Sequence, residues 1–595
     1  MTHHPSADLN NRLLRDRAVR AARGQEPFDL LITGGHVADV ATGVLRRADV
    51  GVVGPLIGSV HESGTRADAS RRIDATGKVV APGLIDTHLH IESSMITPRR
   101  YAETVVPQGT TTICWDPHEV GNVLGLDGVR WAIEASRDLP LRILVLAPSS
   151  VPSAPGIERS GAEFDAAEMR EMLSWPGIFG VAEIMDMRGV IERSARMTGI
   201  VEEGLASGKL VCGHARDLAG ADLQAFAAAG IESDHEIESG EDLLAKLQAG
   251  FTVELRGSHD HILPAAVETL LSLPHVPQTL TICTDDVFPD DLVEVGGMID
   301  VLRRLIRYGL PPLEAVRAAT LNAAQRIARR DLGLVAPGRR ADIVIFDDFD
   351  TLTIGDVIAS GSHVAAKGRM VVDIRPDSRA APTDTVHIDR LTPQDFELRI
   401  QGDASGKARF RTVHTPRFTE WGEAELTIEN GIAGLADDGL LMAVIHRHGK
   451  APSTPGLGLL QNWGHWRGAI ATTVSHDSHN LVVYGRDREA MALAANRLIE
   501  TGGGVAVALD GQVTASMALP VCGLLSEKPA PEVADELRLV RRATEQAADW
   551  QPPRRAFKSI FGASLACNPG PHVTDMGVTD GSTGETFGNG WIQPD

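Results

Sequence analysis

Cysteine is scarce: five occur in 595 residues (Cys114, Cys212, Cys283, Cys522 and Cys567), far apart and with no CxxC pair. That spacing argues against a disulfide framework and against a structural zinc ribbon. Several of the five sit in apolar runs such as TTICW and LTICT, where buried, reduced thiols of a cytoplasmic protein are expected. Aromatic residues make up only 4%, while glycine reaches 60 residues, a balance closer to a soluble α/β enzyme than to a fibrous or disordered chain. Basic residues are outnumbered 57 to 79, for a net charge of −22. Affinity for nucleic acid or for an anionic membrane is therefore not expected. No apolar run approaches the length of a bilayer span, and the N-terminal MTHHPSADLNNRLLRDRAVRAARG lacks the continuous apolar segment of a secretory signal. Its arginines resemble a transit peptide, but Asp8 and Asp16 oppose that; a helical arm over 1–27, for docking or for a homo-oligomer (a dimer or larger), is expected. No lysine occurs between Lys78 and Lys209, a gap that bears on the chemistry below.

The length exceeds what one hydrophobic core organises, so several domains are expected. From Phe28 to about Pro82 short apolar alternations are broken by glycines, as in FDLLITGGHV, ADVGVVGPLIGSV and GKVVAPG, the pattern of small strands and tight turns. The texture returns in GRRADIVIFDD (Gly338–Asp348) and SGSHVAAKGRMVVD. Two β-rich pieces, 28–83 and 331–380, are expected to form one sandwich from both ends of an intervening domain. Over 84–330, strand-like runs (TTTICWD, RILVLAP, GVAEIM, LVCGHA, IESDHEI, TVELRG, LTICTDD) alternate with helical patterns such as DLLAKLQAG and MIDVLRRLIRYG. Repeated βα units imply a parallel (β/α)8 TIM barrel with its active site at the strand C-termini. Ile374–Asp384, rich in Pro and Asp, is the linker candidate, and 385–595 reads as an additional α+β domain.

In GLIDTHLH, alternation along the strand points His88 and His90 the same way. Alone the pair says little. Glu183 closes GVAE, His214 closes LVCGH, His235 follows IESD and Asp285 follows LTICT. Each has an ordinary structural alternative, a helix cap for the carboxylates or a satisfied core imidazole for the histidines. Six such residues at the ends of barrel strands together suit one or two divalent ions of the Zn, Mn or Fe type. His90-Ile91-Glu92 also fits half of a cytidine-deaminase zinc motif, but the required PCxxC is absent.

With HxH on the first strand, histidines after the fifth and sixth and aspartate after the eighth, the sequence resembles the amidohydrolase superfamily. Many relatives bridge two metals through a carboxylated lysine on the fourth strand; the lysine-free stretch leaves Glu183 as the available carboxylate. That departure, together with APGLIDTHLHIESSMITP, WDPHEVGN, GHARDL, SDHE and SHDSHNLVVYG, resembles the adenine deaminase family from about residue 28 onward. The resemblance implies two divalent ions, manganese foremost with iron or zinc as alternatives. It places His88, His90 and Asp285 on one ion, His214 and His235 on the other, and Glu183 between them. It further implies hydrolysis of adenine to hypoxanthine and ammonia, a metal-activated hydroxide attacking C6. Asp285 is then the candidate proton carrier, with Glu183 and His235 among the catalytic groups.

His118 and Glu119, in WDPHEV, are further catalytic candidates. With Asp116 they could instead contact substrate, support ligands or bind a further metal, and a polar loop with a helix cap is the plain alternative. Glu92, Ser93, Asp116 and Arg256 are candidate purine contacts. His446–Gly449, Trp463, His465 and Ser475–Asn480 either close the barrel mouth or form solvated hairpins. The rival functions are deamination of another 6-substituted purine such as N6-methyladenine, cyclic-amide hydrolysis, which the missing lysine weakens, and a non-catalytic binding scaffold, which would lack ligands that are present here.

Overall fold

The computed structural model describes residues 7–375, 380–402, 405–416, 419–549, 560 and 564–593. Residues 1–6 of the expected arm and 376–379 of the expected linker lie outside the described residues.

The centre is a barrel of parallel strands. Leu84–Leu89, Thr110–Trp115, Arg142–Ala147, Ile178–Ile184 and Leu210–Gly213 pair in that order, and Ser233–Asp234, Thr252–Arg256 and Leu280–Cys283 form the remaining run. The two runs join at both seams: Glu232 N–H donates to Val211 C=O at 3.0 Å, and Asp285 N–H donates to His88 C=O at 3.1 Å. The strands are buried along their length because helices cover the outside, which is why they read as continuous apolar runs. Helix Met298–Arg307 shows the pattern: Met298, Ile299, Val301, Leu302 and Leu305 are buried, Asp300 sits in the first turn, and Arg304 and Arg307 sit in the last. That charge order complements the helix dipole. Inside the barrel, Cys114 and Cys212 pack with Ile85, Leu144, Leu146 and Ala182. All five cysteines are free, as expected.

The expected composite sandwich is present. One sheet holds Phe28–Thr33, Asp49–Val53, Leu56–His61 and Ala69–Asp74; in the other, Val79–Pro82 pairs antiparallel with Ile343–Asp348 and so joins chain from before and after the barrel. The N-terminal helix Arg12–Ala22 is capped by Asn11, whose side chain accepts from Leu13 N at 2.9 Å, an ordinary N-cap role for asparagine. Leu14 and Ala18 pack against Phe28, Leu31 and Val53, and Asp8 takes two hydrogen bonds from Arg340 at 2.7 and 2.8 Å. The arm therefore lies on the sandwich, leaving Leu13 and Val19 exposed.

The C-terminal α+β domain is a mixed ten-stranded sheet with helices Arg488–Thr501 and Ala530–Ala547. It closes on the barrel mouth. Ser526 N–H donates to Met95 C=O at 2.9 Å and Thr97 N–H to Ser526 C=O at 3.2 Å. One continuous apolar cluster runs from Ile96 and Val105 of the barrel to Val521, Leu525, Val533 and Leu537, so the interface is made like a domain interior. Among the described residues no helix is long and apolar enough to cross a membrane.

The polar bolt of this interface is Arg159 with Asp575. The buried Asp575 carboxylate accepts from Arg159 N at 2.9 Å and from its Nε at 2.6 Å. Asp575→Ala is expected to lower stability by about 1.5–3 kcal/mol, the range for hydrogen bonds to a charged group. Urea unfolding followed by intrinsic tryptophan fluorescence measures it; an unchanged midpoint would mean that the apolar contacts alone dock the domain.

Candidate metal centre

The barrel brings the six strand-end residues into one cluster around a carboxylate. Glu183, near the end of the fourth strand, has Oε2 2.7 Å from His214 Nδ1 and 3.2 Å from His235 Nε2. Its Oε1 lies 3.2 Å from His90 Nε2 and 3.7 Å from His88 Nε2. Asp285 Oδ1 faces the same pair, 3.5 Å from His90 Nε2 and 3.7 Å from His88 Nε2.

Each side chain is placed by local structure. His88 and His90 leave the first strand with ring centroids 4.9 Å apart and nearly perpendicular planes. Asp285 has φ 57°, a left-handed conformation that aspartate tolerates better than most residues. It turns the carboxylate inward just past the closing strand. The loops carrying His214 and His235 are tied by Asp234, whose Oδ1 accepts from Ala215 N at 2.6 Å and Glu236 N at 3.2 Å. Lys246, fully buried, neutralises Asp234 from 2.9 Å.

Burial opposes every charge in the cluster, yet the groups answer one another. His235, followed by hydrogen-bonding His214 and His90, overcomes burial and holds the Glu183 carboxyl well below the usual range. Against the same burial, Glu119, Asp285 and Glu183 raise His90 well above an ordinary imidazole, and Glu183 and Asp285 raise His235 to about 9. His88 goes the other way, pushed well below its ordinary value by burial and by His235. Histidines that hold protons in a buried site mark an excess of carboxylate. A divalent cation would take the place of those protons, because ligand imidazoles must be neutral. His88 Nε2 has no hydrogen-bond partner although it faces Glu183 and Asp285 at 3.7 Å, and an orphaned buried nitrogen aimed at carboxylates suits a metal ligand. The donor set is that of a divalent-metal centre.

The ligand-type groups of the centre overlap. His235 stacks on His88, with centroids 4.1 Å apart. It belongs both to a set with His88 and Asp285 and to a set with Glu183 and His214, whereas His90 also joins Asp116, His118 and Glu183. Both histidines of the HxH pair reach the centre through the same two carboxylates, Glu183 and Asp285.

The second-strand loop stands beside this cluster. His118 Nδ1 lies 3.1 Å from Asp116 Oδ2 and 3.7 Å from Glu183 Oε1, and Glu119 Oε2 lies 3.5 Å from His90 Nδ1. Glu92 is buried beneath, accepting from Trp115 Nε1 at 2.7 Å and Val120 N at 3.3 Å. Ser93 donates its hydroxyl to Asp286. Arg256 Nη1 bridges Asp285 Oδ2 at 2.6 Å and Glu236 Oε1 at 2.7 Å, and Nη2 contacts His259.

Ser258, Glu236, His259 and Asp286 were not singled out from sequence. Glu236 and Asp286 each directly follow a recognised residue, in SDHE and TDD, where a doubled acid could have been noticed. His446, Arg447 and His448 are buried rather than solvated. Trp463 is buried and His465 exposed. Of the C-terminal candidates, the Ser475–Asn480 loop reaches the site, with His476 Nδ1 3.9 Å from Glu119 Oε1.

The chain is similar to known proteins over both its barrel and its C-terminal domain. Residues 79–372 match the family model described as amidohydrolase family, and 416–585 match the adenine deaminase C-terminal domain. A protein of Agrobacterium fabrum named adenine deaminase 2 is 58% identical, covering 98% of this chain and 97% of its own. The adenine deaminase of Klebsiella pneumoniae is 53% identical over 96% and 95%, and that of Moorella thermoacetica is 38% identical over 97% and 98%. Among solved structures, molinate hydrolase is 17% identical with a TM-score of 0.43, covering 57% of this chain and 95% of its own.

Glu183 touches more of the cluster than any other side chain described above. Glu183→Gln is expected to lose at least one equivalent of bound metal. Activity should fall by more than about 100-fold, the upper end for removing a partner behind a ligand. Metal analysis of the purified variant checks this, and full metal content would remove Glu183 from the centre.

Proposed function

The chain belongs to the adenine deaminase family, and on that premise we propose that it hydrolyses adenine to hypoxanthine and ammonia at the Glu183 cluster. The observation that carries the reading is the convergence of His88, His90, Glu183, His214, His235 and Asp285 at one barrel rim, in a chain related over nearly its full length to adenine deaminases. We assign these six to two divalent ions, manganese foremost and iron or zinc as alternatives, with Glu183 shared between them. When bound, such ions supply Lewis acidity and a water activated near neutral pH.

Asp285 carries the proton. Its Oδ2 is held by Arg256 Nη1 at 2.6 Å and by Ser258 Oγ at 3.0 Å, leaving Oδ1 turned towards His88 and His90. From there Oδ1 takes a proton from the water that adds to C6 and returns it to the exocyclic nitrogen, which leaves as ammonia. Burial opposes ionisation of Asp285, but Arg256 foremost, with His90 and His235, holds its carboxyl well below the usual range, so it is ionised at neutral pH. His118 and Glu119 stand beside the cluster, 3.7 Å from Glu183 and 3.5 Å from His90, and are further catalytic candidates.

The guanidinium of Arg256 is engaged by Asp285, Glu236 and His259, which supports a positioning role in place of purine contact. Glu92, holding Trp115 and Val120, likewise supports the wall behind His90. Ser93 and Asp116 remain the candidate purine contacts. We further propose a cytoplasmic enzyme, in keeping with its free thiols, that takes no nucleic acid. A homo-oligomer is supported by the exposed Leu13 and Val19 of the N-terminal helix.

Protein loaded with Mn, Fe or Zn should release ammonia from adenine and markedly less from N6-methyladenine, adenosine or cytosine. Turnover of one of these with adenine inert would reassign the substrate. Arg256→Met should lower kcat/KM by about 10–100-fold, as losses behind a ligand do. Without the guanidinium the Asp285 pKa rises, so the acid limb of the pH profile should move to higher pH. An unmoved limb would separate Arg256 from Asp285.

A further inference from the structure

A second group of ligand-type side chains lies on the C-terminal-domain side of the centre, built by both domains. His118 and Glu119 open the helix after the second barrel strand, with His118 Nε2 3.8 Å from Glu119 Oε1. The loop following strand Ala469–Thr472 brings His476 and Asp477 against them. His476 Nδ1 is 3.9 Å from Glu119 Oε1 and 3.5 Å from Asp477 Oδ1, which is 3.7 Å from His118 Nε2. Imidazole nitrogens and carboxylate oxygens thus alternate around a closed ring.

Every edge of that ring is longer than a hydrogen bond, about 2.7–3.2 Å. The edges are close to the separation of ligand atoms around one ion: tetrahedral bonds of about 2.0–2.2 Å put ligands about 3.3–3.6 Å apart. The side chains of His118, Glu119 and Asp477 are 3%, 0% and 2% exposed. Neither Glu119 oxygen, nor His118 Nε2, nor Asp477 Oδ2 has a hydrogen-bond partner. Buried carboxylates left without donors are costly unless a cation faces them. Two carboxylates and two neutral imidazoles balance one dication, and such a nitrogen–oxygen set suits Zn, Mn or Fe.

We propose that His118, Glu119 and His476, whose ligand-type atoms all lie within 4.8 Å of one another, form with the flanking Asp477 a further divalent-metal site that clamps the C-terminal domain to the barrel rim. The site is coupled to the first centre, because each barrel ligand turns its other atom that way: Glu119 Oε2 lies 3.5 Å from His90 Nδ1 and His118 Nδ1 lies 3.7 Å from Glu183 Oε1. An ion in the ring would fix both side chains against the catalytic cluster. It would thereby link closure of the domain to assembly of the active site.

The test counts metal per chain. Wild type, His476→Ala and Asp477→Asn are grown with manganese, freed of loosely held metal and measured by mass spectrometry, with circular dichroism to confirm folding. Wild type should hold one equivalent more than either folded variant; equal content overturns the site. His476→Cys provides an independent reading. Loaded with Co(II), it should gain a near-ultraviolet thiolate-to-cobalt band that wild type lacks, since no cysteine belongs to either centre, and absence of the band overturns the proposal. In the double variant with Glu183→Gln the band should persist while other metal is lost. Metal lost with Glu183→Gln but not with the C-terminal variants would leave the first centre standing and remove this one; the reverse result would do the opposite.

Discussion

A single buried carboxylate sets the terms for the rest of the protein. Glu183 stands within 3.7 Å of nitrogens from His88, His90, His118, His214 and His235. Those five residues come from four different barrel strands or the loops that follow them. A shared anion at this position makes the four approaches interdependent, because a charge without partners in such a place would be expensive. The electrostatics follow from the same fact: the imidazoles depress Glu183, and Glu183 with Asp285 raises His235.

A TIM barrel supplies this convergence by construction, as its strand ends point to one rim. It does not supply the cover. Here the cover is the C-terminal domain, joined by a continuous apolar cluster, by the Met95–Ser526 and Thr97–Ser526 backbone bonds and by Arg159–Asp575. These contacts place the Ser475–Asn480 loop so that His476 Nδ1 comes within 3.9 Å of Glu119 Oε1, and burial of the cluster beneath the domain strengthens every charge interaction there.

Much of this was legible in the chain. Period-two alternation and βα repetition marked the barrel and the split sandwich, and the six strand-end residues stood out because polar groups ending apolar strands are conspicuous. The long-range partners were not legible. Asp477 and His476 lie far from His118 in sequence, and nothing local distinguishes a lid loop from a solvated hairpin. Arg256 was noticed, but its engagement by Asp285, Glu236 and His259 depends on the register of the seventh strand with the eighth. The sharing of His235 between two donor sets follows from its stacking on His88, a contact across the barrel that spacing along the chain does not encode.

The lysine-free stretch carries a structural demand of its own. A carboxylated lysine reaches a metal pair on a long, flexible stem, whereas glutamate has two methylenes, so the fourth strand must present its backbone close to the centre and hold it there. The structure meets that demand at the Glu183 carbonyl. Ser149 Oγ donates to it at 2.6 Å and Ser150 Oγ at 3.4 Å, while Met185 N–H donates to Ser150 Oγ at 3.4 Å. The pairing of the fourth and fifth strands also shifts register between Val181 and Ile184, across the very residue in question, and such irregularities re-aim side chains near active sites. The Glu183 side chain is therefore presented from a locally irregular strand tied at its carbonyl. Ser149 and Ser150, just past the third strand, support the cluster through that carbonyl.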